Sequence, residues 1–144
     1  MQIREIMSTD VHLVDPNMTI AECARRMRDD DIGAFPVGEN DRLVGMVTDR
    51  DLAVRAVAEN CAPDSTKVRE VMSEGICYCY DDAEVEEAAK VMADHQVRRV
   101  PVVNRDKRLC GVVSVADLAK AGVEDVHLQA YRTIARPSGQ ERLM

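Results

Sequence analysis

The chain has 144 residues, 46% hydrophobic and 31% charged, with a net charge of −7 at pH 7. That length and apolar content fit one compact globular domain and exclude a disordered chain. The acidic balance, with no long Lys/Arg block, disfavours nucleic acid as a partner, and no apolar run is long enough to span a membrane. Aromatic residues make up only 3% and Trp is absent, so the core is expected to be built from Val, Leu, Ile, Ala and Met. The N-terminus lacks a signal-peptide core, and the five cysteines are odd in number, which points to the cytoplasm and to reduced thiols.

In chain order, Ile3 to Met7 is a short apolar-spaced segment, and Val11 to Val14 reads as a strand. Asp15-Pro16-Asn17 turns the chain into a helix whose apolar positions are Ile20, Ala24 and Met27, with Thr19 as its N-cap. Ala34 to Val37 and Leu43 to Thr48 flank the polar turn Gly38 to Asp41 and read as an antiparallel hairpin. A second helix is expected from Asp49 to about Glu59. The same order then returns. Val68 to Met72 is the short segment and Ile76 to Tyr80 the strand. A helix over Val85, Ala88, Ala89 and Met92 follows, with Asp82 as its N-cap. Strands at Arg99 to Val103 and Leu109 to Ser114 lead to a helix from Val115 to about Ala121. Residues 123–135 are expected to form a further helix, and Ser138 to Met144 a frayed tail.

The return is a true internal repeat, offset by 65 residues at Arg4, Glu5, Met7 and Ser8 against Arg69, Glu70, Met72 and Ser73, and by 66 at Gly45 against Gly111. Each copy is a β-α-β-β-α unit, so the fold class is α+β. The expected organisation is repeat 1 over 1–59, a linker over 60–66, repeat 2 over 67–121, and a C-terminal segment over 122–144. Each half alone would be marginal in size, so the halves are expected to share a core.

The chemistry concentrates where each second strand meets its helix. Gly45-Met46-Val47-Thr48-Asp49-Arg50-Asp51 returns as Gly111-Val112-Val113-Ser114-Val115-Ala116-Asp117, with a hydroxyl followed three residues on by a carboxylate. Thr48 and Ser114 fit an N-cap, and Asp51 and Asp117 fit either helix capping or a ligand contact. A carboxylate accepts both protons of a cis-diol, and a helix N-terminus favours phosphate. Other candidates are weaker. Cys77 and Cys79 share a strand face, yet Cys-x-Cys without a second pair is a poor metal signal, and free cysteine usually behaves as a small buried hydrophobe. His95 suits a helix C-terminus. His12 and His127 read as structural, Asp29 to Asp31 as a solvated helix end, and Met27 and Met92 as core. No metal is assigned. No Walker motif, Gly-x-Gly-x-x-Gly or nucleophile constellation occurs, and catalysis is not expected.

The duplication, the element order and the two Gly-x-x-Thr/Ser-x-x-Asp ends resemble a tandem cystathionine-β-synthase (CBS) domain pair, or Bateman module, over about residues 2–120. Asp31-Ile32-Gly33-Ala34-Phe35-Pro36-Val37 and Gln96-Val97-Arg98-Arg99-Val100-Pro101-Val102 are similar to segments of stand-alone bacterial CBS proteins, including the hypoxic-response type. The resemblance implies repeats packed sheet to sheet, with adenosine compounds (AMP, ADP, ATP or S-adenosylmethionine) in two clefts and no required cofactor. Carried over, the first cleft combines Thr48, Arg50 and Asp51 with Gly75, Ile76, Val97 and Arg98, and Arg69 and Arg99 reach phosphate. The second combines Ser114 and Asp117 with Val11, Ile32, Gly33 and Ala34, with Arg4 nearby. The extra arginines of the first predict that it takes the more phosphorylated ligand. The implied protein is a non-enzymatic regulator, a homodimer that acts through conformation or a protein partner. The alternative is a structural or redox- or metal-responsive interaction protein that binds no nucleotide.

Overall fold

The computed structural model describes residues 1–123, so the helix expected at 123–135 and the tail lie, but for Val123, outside the described residues. The chain divides into two compact units whose boundaries cut across the sequence repeats. The first-hairpin unit is His12–Ile76, and the second-hairpin unit joins Met1–Val11 to the residues from Cys77 on. Each sequence copy thus gives its leading segment to the unit built on the other copy's hairpin.

In the first-hairpin unit, helix α1 (Ile20–Asp30) starts at Thr19, whose side chain accepts the Glu22 N–H at 3.2 Å, as the sequence predicts. It ends at Asp31 with φ 54°, the left-handed conformation common after helix C-termini. Strands β1 (Ala34–Glu39) and β2 (Arg42–Thr48) pair antiparallel, from Ala34 opposite Thr48 to Glu39 opposite Arg42. Asn40 and Asp41 both have positive φ, as a two-residue hairpin turn demands. The turn is therefore tighter than the expected Gly38 to Asp41. The Val11–Val14 strand reduces to one parallel bridge from Val14 to Val37, because the Asp15-Pro16 turn ends the extended run at once. After β2 the chain forms one α-helical turn, α2 (Asp49–Asp51), and continues as a π-helix over Leu52–Val57. The sequence predicted an ordinary helix there.

The second-hairpin unit repeats the plan. Strand β3 (Cys79–Tyr80) lies parallel to β4 (Arg99–Val103), which pairs antiparallel with β5 (Leu109–Ser114). The expected Ile76–Tyr80 strand is shorter because Ser73 is already bridged to Met46 and the Glu74 carbonyl takes the Ile76 N–H in a turn. Helix α3 (Val85–His95) has Glu84, not Asp82, at its N-cap. Asp82 lies two residues ahead of that cap, where the first repeat has Asn17 and not the capping Thr19, and its carboxylate takes a two-pronged pair from Arg105 at 2.8 and 2.9 Å. Helix α4 (Val115–Lys120) is regular.

In place of one core there are two, each drawing on both sequence halves. Each unit buries its own hydrophobic cluster: Val14, Ile20, Cys23, Phe35, Val37, Val47 and Ala56 in one, and Val85, Ala88, Ala89, Met92, Val100, Val113 and Leu118 in the other. The exchanged segments complete these cores, with Ile3 in the second-hairpin cluster and Val68, Val71 and Met72 in the first-hairpin cluster. Met27 and Met92 are core residues, as their spacing predicts. The exchange also explains the motif glycines. A Cβ on Gly45 would stand 2.8 Å from both Met72 Sδ and the Ser73 carbonyl oxygen, and one on Gly111 would stand 2.5 Å from Met7 Sδ and 2.9 Å from the Ser8 carbonyl oxygen. Both glycines admit an incoming backbone that bridges the strand, Ser73 to Met46 and Ser8 to Val112.

Candidate functional site

Each hydroxyl–carboxylate pair closes on itself in the same way. The Asp51 N–H donates to Thr48 Oγ1 at 3.1 Å, and the Thr48 N–H donates to Asp51 Oδ2 at 2.9 Å. Asp117 and Ser114 repeat both bonds at 3.1 and 2.9 Å. These are reciprocal capping boxes, and they satisfy two backbone donors that a helix start otherwise leaves without partners. The strand's last residue stays extended, which aims the hydroxyl at the first helical turn. Capping, one of the two roles foreseen for these residues, is therefore in place, and it occupies only one oxygen of each carboxylate. Asp51 Oδ1 lies 3.9 Å from Arg55 Nε. Asp117 Oδ1 forms no hydrogen bond or ion pair among the described residues.

The neighbours of each junction come from the same unit. The Asp49 N–H donates to the Gly33 carbonyl at 2.9 Å, and Ala34 is opposite Thr48. The Val115 N–H donates to the Arg98 carbonyl at 3.0 Å, and Arg99 is opposite Ser114. Thr48, Arg50, Asp51, Arg69, Gly75, Ile76, Ile32, Gly33 and Ala34 belong to the first-hairpin unit. Arg4, Val11, Val97, Arg98, Arg99, Ser114 and Asp117 belong to the second. Ile32 and Val97 are matched, half-buried residues just after the left-handed Asp31 and Gln96. Gly75 is exposed, with open space where a Cβ would stand.

Two arginines stand elsewhere than expected. Arg69 donates to Asn17 at 3.2 Å and to Glu39 at 3.3 Å. Glu39 is at the turn end of its hairpin, about 17 Å along the strand from the Thr48 end at about 3.4 Å per residue. Arg4 lies 3.8 Å from Asp81, whose N–H donates to the Val103 carbonyl, again at the turn end of its hairpin. In each case a carboxylate far from the capped junction holds the guanidinium. Arg50, Arg98 and Arg99 are exposed and have no ion-pair partner among the described residues. Sequence reasoning missed Arg55, whose signal was available: the repeat places Ala121 at the equivalent position.

The cysteines are free thiols. Burial pushes Cys23 up to about 11 and Cys79 up to about 12, and raises Cys77 and Cys110 as well. A metal takes the thiolate, so a metal bound here would itself have to draw off the proton that burial holds. Among the described residues no group of three or more His, Cys, Asp or Glu side chains converges, and no helix is long and apolar enough to cross a membrane. His12 pairs with Asp30 at 3.3 Å, and Asp29 pairs with Arg28 at 2.8 Å.

The CBS-domain family model matches this chain twice, over residues 3–57 and 68–124, and the chain belongs to that family. Hypoxic response protein 1 of Mycobacterium tuberculosis is 38% identical over 93% of this chain and 94% of its own length. A crystal structure of Hypoxic Response Protein I with two coordinated zinc ions has a TM-score of 0.77 at 39% identity and covers 84% of this chain and 98% of that one. The CBS domain pair of protein MJ0100, in complex with 5′-methylthioadenosine and S-adenosyl-L-methionine, has a TM-score of 0.70 at 25% identity, covering 84% of this chain and 94% of that one.

Proposed function

We propose that this CBS-domain pair is a non-catalytic regulatory module that binds adenosine-containing small molecules, with Asp51 in one unit and Asp117 in the other accepting the ribose diol. The observation that carries the reading is the matched pair of capping boxes, each holding a carboxylate by one oxygen, with the other making no hydrogen bond among the described residues. Both molecules in the MJ0100 complex are adenosine compounds, and the same chemistry covers AMP, ADP and ATP. Arg50 precedes Asp51 where Ala116 precedes Asp117, whereas Arg98 and Arg99 flank Ser114 where Gly33 and Ala34 flank Thr48, so each anchor has a cation in its own unit for a phosphate to meet. Within the Asp51 unit the candidate contacts around the base and phosphates are Ile32, Gly33, Ala34, Gly75 and Ile76, and within the Asp117 unit they are Val11, Val97, Arg98 and Arg99. Ligand binding regulates only if it favours one conformation over another. A homodimer and a protein partner belong to the same reading, and Val54 and Val57 on the π-helix stand exposed for such contacts.

Calorimetry and melting with 5′-methylthioadenosine, S-adenosylmethionine, AMP, ADP and ATP test this. A ligand at 100 times its Kd adds about 2.7 kcal/mol of stability. Asp51→Asn and Asp117→Asn keep an oxygen for the cap and remove the carboxylate charge, and each is expected to weaken one binding event at least about tenfold, as loss of a charge-assisted bond does. The reading falls if the wild type binds none of the panel, or if neither variant changes binding. The zinc-bearing relative supports one other reading, a metal-responsive interaction protein using Cys77 and Cys79, and stoichiometric zinc in tag-free protein would favour it.

A further inference from the structure

Arg55 lies four residues past Asp51, on the π-helical stretch Leu52–Val57. Its Nε is 3.9 Å from Asp51 Oδ1, and its Nη1 donates to the carbonyls of Val71 and Met72, each at 3.2 Å. Those carbonyls belong to the segment that runs on to Ser73, which exchanges two hydrogen bonds with Met46 of β2 at 2.8 and 2.9 Å. Gly45 leaves the space that Met72 and Ser73 occupy. Val71–Ser73 is therefore seated on β2 from one side and held by Arg55 from the other. The second-hairpin unit has the seat without the clamp: Ser8 bridges Val112 in the same way, but the residue equivalent to Arg55 is Ala121 and the helix there is regular.

A guanidinium presents five donors in a rigid fork, so one nitrogen can serve backbone carbonyls while another faces a carboxylate. Asp51 thus accepts the Thr48 N–H at Oδ2 and faces the Arg55 guanidinium across 3.9 Å at Oδ1. We propose that Arg55 is a positioning residue that couples ligand binding at Asp51 to the seating of Val71–Ser73 on β2. The inference rests on Asp51 being a ribose anchor. A carboxylate already held in place loses less freedom when it takes a diol. By reciprocity, a ligand that steadies Asp51 steadies the segment that Arg55 holds.

The test uses the full chain carrying Asp117→Asn, which leaves Asp51 as the anchor. The probe is 5′-methylthioadenosine, which has no phosphate, so loss of the arginine is not a lost phosphate contact. Calorimetric Kd and amide exchange at Ser73 and Met46, with and without the probe, are compared for Arg55, Arg55→Lys and Arg55→Ala. With Arg55 present, the probe is expected to slow exchange at both amides. Arg55→Ala is expected to raise Kd at least about fivefold, the lower end of ordinary coupling, and to abolish that slowing at saturation, with Arg55→Lys recovering part of both. A purely structural role would speed exchange in the free protein yet leave Kd and the ligand-induced slowing intact, and that outcome overturns the coupling. If the wild-type chain binds neither the probe nor any other adenosine compound, the ribose role of Asp51 fails and the coupling with it. Binding that Arg55→Ala leaves unchanged removes the coupling alone.

Discussion

In the first-hairpin unit the helix after Thr48 passes from α to π within one turn, and its Arg55 reaches back to the carbonyls of Val71 and Met72. In the second-hairpin unit the helix after Ser114 stays α to Lys120 and carries no such arginine. The capping boxes before them match to within 0.1 Å in both bonds. Local geometry set by residues three apart has survived duplication, while the geometry of the following turn has diverged with one long-range contact. The units thus share an anchor and differ in what the anchor is tied to, so any functional difference between them is expected downstream of the carboxylates rather than at them.

The largest effect should come from the feature the units share. Gly45→Ala and Gly111→Ala each push a Cβ against a methionine sulfur and a backbone carbonyl. The sulfur is the end of a flexible side chain and can shift; the carbonyl is held in a bridge and cannot do so without cost. Each substitution is expected to lose about 1–3 kcal/mol in denaturant titration, the usual range for overpacking. A loss at only one glycine would show that the two seats are not equivalent.

A smaller effect separates the buried thiols, Cys79 in one unit and Cys23 in the other. An unfolded thiol ionises near its ordinary value of 9.0, whereas Cys79 stays protonated to about 12 and Cys23 to about 11. Above pH 9 the unfolded chain alone releases these protons, so stability falls as pH rises toward 11 and 12 and is unaffected below 9. Cys79→Ala should flatten the alkaline fall in melting temperature more than Cys23→Ala does. Equal flattening would mean that the two cores exclude the thiolate equally.

The smallest expected effect is at Asp82, whose counterpart in the first repeat is Asn17. The Arg105 guanidinium holds the Asp82 carboxyl below the usual carboxylate range. Its contribution is therefore present above the ordinary value of 3.8 and is lost as pH falls through the lower folded value. Arg105→Gln should return Asp82 toward 3.8 in an NMR titration, with little change in melting temperature because the pair is solvent-exposed. An unmoved titration would show that Arg105 is not what holds Asp82.

The amino-acid sequence by itself determined the elements whose signal is local. Helix α1 with its Thr19 cap, the two hairpins, the methionines of the core and the duplicated hydroxyl–carboxylate junctions all follow from residues at most a few positions apart. The duplication then identified the family. Contacts between residues far apart in the chain were decided only in the tertiary structure. The exchanged leading segments gave each unit a core of its own, with Ile3 joining one and Val68 to Met72 the other. Asp82 paired with Arg105, 23 residues away, and Arg69 turned to Glu39, 30 residues away. A hydrophobic period says which face of an element is buried, and a cap says where a helix begins. Neither says which distant backbone will arrive against a glycine or which carboxylate will take an arginine, because those choices depend on the packing of the whole unit.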